Sequence, residues 1–193
     1  MKKIILALIL LFCLQSKAQS PVIDIPNWNG KTSPPYFYLK DLSHNLDPYV
    51  GTWLYTNGTT SLRIVLQIKE QVLRGNYYED ILIGEFQYIS NGAELFNSLA
   101  DLNAYLPSPY YHNIHGNYMP TTYSPFDVVS PIRRIHTFMK DNTGNTLEIQ
   151  KTSVNGQDAI EILKLTAQAP TVEGQPIYDP VVPCGFYTLV KQP

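Results

Sequence analysis

The sequence predicts an all-β protein, an antiparallel up-and-down barrel of about eight or nine strands, with a two-sheet β-sandwich as the alternative. Three observations carry this. Apolar residues alternate with polar ones at strand period in runs such as Leu62, Ile64, Leu66, Ile68. Asn-Gly pairs at 57–58, 91–92 and 155–156 punctuate those runs, and such pairs supply the positive φ that tight hairpins need. No segment carries helical periodicity beyond two turns, and a barrel is the closure that leaves consecutive hairpins without exposed edges.

Residues 1–18 read as a signal peptide. Lys2 and Lys3 precede an apolar run from Ile4 to Leu14, and Ser16-Lys17-Ala18 supplies small residues for cleavage after Ala18. That run is well short of the ~20 apolar residues that span a bilayer. The expected location is therefore outside the cytoplasm, periplasmic or extracellular, with no membrane span. Cleavage removes three of 14 basic residues and none of 16 acidic ones. A mildly acidic chain without a basic cluster excludes nucleic acid as a partner on electrostatic grounds. One cysteine, Cys184, remains, and it is expected as a small buried hydrophobe on the closing strand.

Residues 19–48 form a leader rich in proline and aromatics, expected to lie extended on the barrel with one helical turn at 43–47 capped by Ser43. The single barrel domain spans 49–193. Its first strands are expected at 50–57, 59–72, 78–90 and 93–99. Gly51, Trp53 and Tyr55 share one face of the first, and Leu82, Gly84, Phe86 and Tyr88 one face of the third. Arg63, Gln67, Lys69, Asp80 and Gln87 are assigned to the wet side. Glu79, Asp80 and Glu85 are read as solvated charges rather than as converging catalytic carboxylates.

Residues 100–131 interrupt the pattern, with tyrosines and prolines alternating and a short strand near 113–119. So long a connection is often functional. Its segment 105–126 is expected to be pinned to the barrel by its own aromatics and to be the candidate contact for a protein partner, with stacking on a sugar or an apolar ligand as the alternative. Strands follow at 132–140, 146–153, 158–167, with a bulge expected near Ile162, and at 184–191.

Tyr49-Val50-Gly51-Thr52-Trp53, Asn57-Gly58 and Tyr77-Tyr78-Glu79-Asp80-Ile81-Leu82-Ile83-Gly84-Glu85 resemble a family of small exported bacterial proteins of unknown function, over nearly the whole chain after the signal peptide. Gly51-x-Trp53 also resembles the first-strand motif of lipocalins and other calycins. That resemblance implies that Trp53 closes one end of the barrel beneath a cation, either Lys191 or an arginine of the 132–140 strand, with Gly51 beside it.

No catalytic constellation, phosphate loop, nucleophile elbow or dinucleotide pattern is present, and no cofactor is expected. His112 and His115 stand at an odd offset without a third ligand, so no metal site is expected. Arg133-Arg134 sends one side chain to each strand face. Arg134, with His136 of the same parity, is the candidate for an acidic head group inside the barrel, and Tyr55 and Tyr88 complete the candidate ligand set. The expected function is non-enzymatic binding of a small apolar or amphipathic ligand. The alternative is a packed barrel working as an envelope or secreted interaction module.

Overall fold

A computed structural model describes residues 20–28, 36–119, 134–141, 144–166 and 180–193. The proposed signal peptide and residues 120–126 of the Tyr/Pro segment lie outside these. Among the described residues eleven strands form: β1 Val22–Asp24, β2 Tyr38–Lys40, β3 Gly51–Asn57, β4 Thr60–Arg74, β5 Tyr77–Ser90, β6 Ala93–Asn97, β7 Ile114–Tyr118, β8 Arg134–Lys140, β9 Gly144–Val154, β10 Gln157–Thr166 and β11 Gly185–Lys191. Backbone hydrogen bonding runs from β5 through β4, β3, β11, β10, β9, β8 and β7, then returns to β5. Eight antiparallel strands thus close a ring. The ring is irregular, because β5 also carries β6 and, in parallel, β2 of the leader. Among the described residues no helix is long and apolar enough to cross a membrane.

Turn chemistry sets the hairpins. Asn91-Gly92 and Asn155-Gly156 each hold two successive positive φ angles, the requirement of a type I′ turn. The first hairpin differs from expectation by one residue. Asn57 still pairs with Thr60, so the turn is Gly58-Thr59, with the positive φ at Gly58. Regular pairing then leads β4 against β5 from Ser61–Ile89 to Lys69–Ile81, where a bulge with Gln71 in left-handed conformation shifts register.

The interior is filled. Trp53, Leu62, Ile64, Leu66, Leu82, Phe86, Ile114, Met139, Leu147, Ile149, Ile160, Ile162 and Leu189 are all fully buried in one cluster. Gly84 belongs to this face because a Cβ there would sit 2.6 Å from Leu66 Cδ2 and 2.7 Å from the Val65 carbonyl oxygen. The leader packs into the same core through Ile25, Phe37, Leu39 and Leu46, and Phe37 stacks on Tyr77 with ring centroids 4.6 Å apart. Val182, just before β11, is fully buried at the other end.

Several expectations are corrected here. Asp80 is buried rather than wet, since it shares parity with Leu82 and Gly84 and lies under the leader. The one-turn helix forms at Asp47–Tyr49 instead of 43–47, and Ser43 donates to Asp24 rather than capping it. β10 has no bulge near Ile162. Its pairing with β9 is continuous from Gln157 to Thr166, because Ile160, Ile162 and Lys164 simply alternate inward. Cys184 is exposed, since it precedes β11 rather than lying on it.

Candidate functional site

β5 presents Glu79, Ile81, Ile83 and Glu85 on its outer side, and all four are buried. The cover is the segment from Ser98 to Tyr118. It opens with a short 3-10 turn at Leu99–Asn103, makes another at Pro109–Tyr111, and joins the ring as β7. Leu102 and Tyr110 pack with Val65, Val72, Ile81 and Ile83 in a second, smaller core. Outward along a strand is therefore not the same as toward solvent, and the reading of these carboxylates as solvated charges does not hold.

The two carboxylates anchor the cover. Glu85 accepts hydrogen bonds from Ser98 Oγ at 2.6 Å, Asn113 Nδ2 at 2.6 Å, Asn113 N at 3.3 Å and His112 Nδ1 at 2.8 Å. Facing a carboxylate requires His112 Nδ1 to carry its proton. Glu79 accepts from Arg74 Nη1 at 3.2 Å, Asn117 Nδ2 at 3.0 Å and the Tyr110 hydroxyl. Burial first, then the Glu79 carboxylate, push the Tyr110 phenol well above its ordinary range. Glu79 is paired with Arg74, and both carboxylates are multiply hydrogen-bonded, which is the condition for their burial.

The Ser98, His112 and Glu85 combination does not make a nucleophile. The hydroxyl donates to the carboxylate, whereas an activated serine must donate to the imidazole. Among the described residues no group of three or more His, Cys, Asp or Glu side chains could hold a metal ion. A cleft of about 230 Å³ between the leader and β4 contains Asp41 and Asp80, but backbone amides already occupy both carboxylates.

The covered outer face carries an aromatic surface. Tyr110 meets His115 edge-on, His115 stacks on Phe138, and Tyr118 meets His136 edge-on, each with centroids 5.7 Å apart. Burial lowers the His115 imidazole from its ordinary value, which favours the neutral ring that stacks. Lys140 Nζ lies over the Tyr111 ring and donates to the Tyr110 carbonyl at 2.7 Å. Tyr105 is 97% exposed, and Tyr111, Tyr118 and Phe138 are also more than half exposed.

The residues singled out from sequence fall into three places. Gly51, Trp53 and Lys191 come together at the leader end. Lys191 Nζ lies 5.3 Å from the centre of the buried Trp53 ring, Lys151 Nζ lies 4.8 Å from it, and Trp53 Nε1 donates to the Tyr49 carbonyl at 2.8 Å. Gly51 has φ +133°, and a Cβ there would be 3.0 Å from Lys191 Cε, so glycine admits the lysine stem. Tyr55 and Tyr88 flank Leu62 on neighbouring strands, with Tyr55 edge-on to Tyr187 at 5.1 Å.

The third place is β8, where the inward assignment of His136 is corrected. Ile135, Thr137 and Met139 are the buried, inward residues, whereas His136 and Phe138 belong to the outer aromatic surface. The parity carrying Ile135 and Met139 takes the interior, because burying an imidazole there costs more than burying aliphatic side chains. His136 Nε2 lies 3.7 Å from Glu148. Arg134 opens β8 opposite Gln150, but its side chain lies outside the described residues, as does Arg133. Sequence reasoning missed Ser98, Asn113 and Asn117. Their polar side chains within an otherwise aromatic connection were the available signal.

A family of unknown function, DUF6705, has a sequence model that matches residues 1–192, and the chain belongs to that family. No curated protein and no solved structure matches it.

Proposed function

We propose that this DUF6705 member is an exported, non-enzymatic interaction module that works through the outer aromatic surface of β7, β8 and the Ser98–Tyr118 cover. The observation that carries this reading is the pairing of a filled interior with a rigidly anchored exposed aromatic face. Among the described residues, side chains pack through the middle of the ring, the leader packs into the core at one end, and Val182 is buried at the other. A carrier of a small apolar ligand asks for interior space, and an eight-stranded ring has room to be packed or to hold one small ligand. The packing thus supports the interaction reading over the carrier reading. Meanwhile Tyr105, Tyr111 and Tyr118 are exposed on a segment that two buried carboxylates hold in place, and Phe138 is exposed on the neighbouring β8. Rigid tyrosines suit protein recognition, giving large contact area for little lost conformational entropy. Export rests on the order of basic, apolar and small residues in positions 2–18.

The test places a photo-crosslinking residue at 105 in the host and compares it with the same residue at an exposed position on β4, such as 63. A discrete adduct from 105 alone, lost in Tyr111→Ser/Phe138→Ser, is the expected result. Displacement of an apolar dye by a fatty acid is measured in parallel. Saturable, stoichiometric displacement with no specific adduct would overturn this reading in favour of the carrier.

A further inference from the structure

At the end of the ring away from the leader, a lysine, a carboxylate and a side-chain amide lie together in the buried interior. Lys164 on β10, Asp141 after β8 and Asn145 on β9 are all 0–1% exposed. Lys164 Nζ is 3.0 Å from Asp141 Oδ2 and donates to the Val182 carbonyl at 2.6 Å. Asn145 Nδ2 donates to the other carboxylate oxygen, Asp141 Oδ1. Asn145 pairs with Thr166 and Leu147 with Lys164, so Asn145 and Lys164 are diagonal neighbours on adjacent strands. Diagonal neighbours have backbones about 7–8 Å apart, within reach of long side chains. A buried ion pair rarely stabilises more than the apolar residues that could replace it. Its retention here, with an amide on the same carboxylate, calls for a chemical account.

We propose that these residues form an autocatalytic isopeptide cross-link between Lys164 and Asn145, with Asp141 as the proton carrier. The reaction begins when one proton moves along the Lys164–Asp141 contact, from Nζ to Oδ2, leaving an amine and a carboxylic acid. The amine attacks Asn145 Cγ, forming the Nζ–Cγ bond. Asp141 passes a proton to Nδ2 as the Cγ–Nδ2 bond breaks, and takes one from Nζ. Lysine and asparagine are converted to one secondary amide and ammonia, with no oxidant, reductant or cofactor. The carboxylate touching both reactants is what this proton transfer needs. The product ties β9 to β10 covalently, in a structure whose described residues hold a single cysteine and so no internal disulfide. The reaction is a single self-modification and does not depend on the surface function proposed above.

The test is made on purified wild-type chain, denatured and digested with trypsin, so it does not require any variant to fold. Trypsin cannot cut after an acylated lysine. Expected is a branched peptide joining 141–151 to 152–191, lighter than its two linear components by about 17 Da, the mass of ammonia. The 152–164 peptide should be missing. Asn145→Ala and Asp141→Ala should restore 152–164 and abolish the branch. Peptide mapping is needed because cyclisation of an N-terminal glutamine loses the same mass. Recovery of unmodified linear 141–151 and 152–164 from wild type would overturn the proposal. A branch formed with loss of water, about 18 Da, would assign the bond to Asp141 and overturn the role of Asn145.

Discussion

The two faces of β5 are held by different physics. On the inner face Leu82, Phe86 and Tyr88 are buried against other apolar side chains, and Gly84 lets Leu66 approach. On the outer face Ile81 and Ile83 are equally buried, but Glu79 and Glu85 flank them and carry seven side-chain and backbone donors between them. Hydrophobic burial is non-directional, so the inner face fixes the ring through many small contacts rather than through any one partner. Hydrogen bonds to a charge are directional and are lost completely when the acceptor is removed. The inner face therefore sets global stability, and the outer face sets where one particular segment lies. That division suits the proposal that the working surface lies on the outside of the ring.

The comparison breaks most visibly at Trp53. Trp53→Ala should lower global stability by ~3–5 kcal/mol, the range for buried large-to-small aromatic changes. Denaturant unfolding followed by far-UV circular dichroism measures it. A loss under 1 kcal/mol would mean that the core does not depend on the leader end. Glu85→Ala is next, at about 3 kcal/mol, because it leaves four donors without their acceptor in a buried site. Here the location of the damage matters more than its size. Amide exchange should speed up across 98–113 while β3 and β4 keep their protection. Uniform loss of protection would erase the distinction between the two faces.

How much of this was legible follows from the same contrast. Strand period, Asn-Gly turns and the inward parity of Leu62, Ile64 and Leu66 depend on neighbours in sequence, so the all-β ring could be read directly. Trp53 and Gly51 could be linked because one motif names both, and Lys191 was one of the cations that the resemblance offered them. Glu79 and Glu85 could not be placed, because their burial depends on a segment 27 to 38 residues further along folding back over β5. Alternation tells which side a residue takes and is silent on what covers that side. Lys164 was within reach, since it shares parity with Ile160 and Ile162. A lysine in register with two buried isoleucines signals an internal partner. His136 was misplaced because a mixed aromatic and cationic face was taken for a lining, when it is an outer surface.

Smaller changes sharpen the inner face. Gly84→Ala should cost about 2 kcal/mol through overpacking against Leu66 and the Val65 carbonyl, with the far-UV spectrum unchanged. Alkaline titration reads the same packing through protons. Burial pushes the Tyr49 and Tyr187 phenols up to about 12 from the usual 10. The folded state then resists ionisation that the unfolded chain accepts. The stability linked to these phenols is full below pH 10 and is lost as pH rises from 10 to 12. Tyr49→Phe removes one such group, so its unfolding midpoint should move to higher pH relative to its own stability at pH 7. Ultraviolet absorbance of tyrosinate checks this, and ionisation of every tyrosine near pH 10 before unfolding would contradict it.

The smallest expected effect on stability is at Tyr105, and it separates the two faces most sharply. Its ring is 97% exposed, so Tyr105→Ser removes almost no buried area and should change unfolding free energy by less than about 0.5 kcal/mol. If the outer face is the working surface, this nearly silent substitution should weaken partner capture more than Gly84→Ala does, although Gly84→Ala costs more stability. Crosslinking yield from a probe at position 111, compared in the two variants at matched folded fraction, gives the ordering. A larger loss of capture in Gly84→Ala would return the function to the interior, because packing inside the ring would then control binding and the exposed aromatics would not.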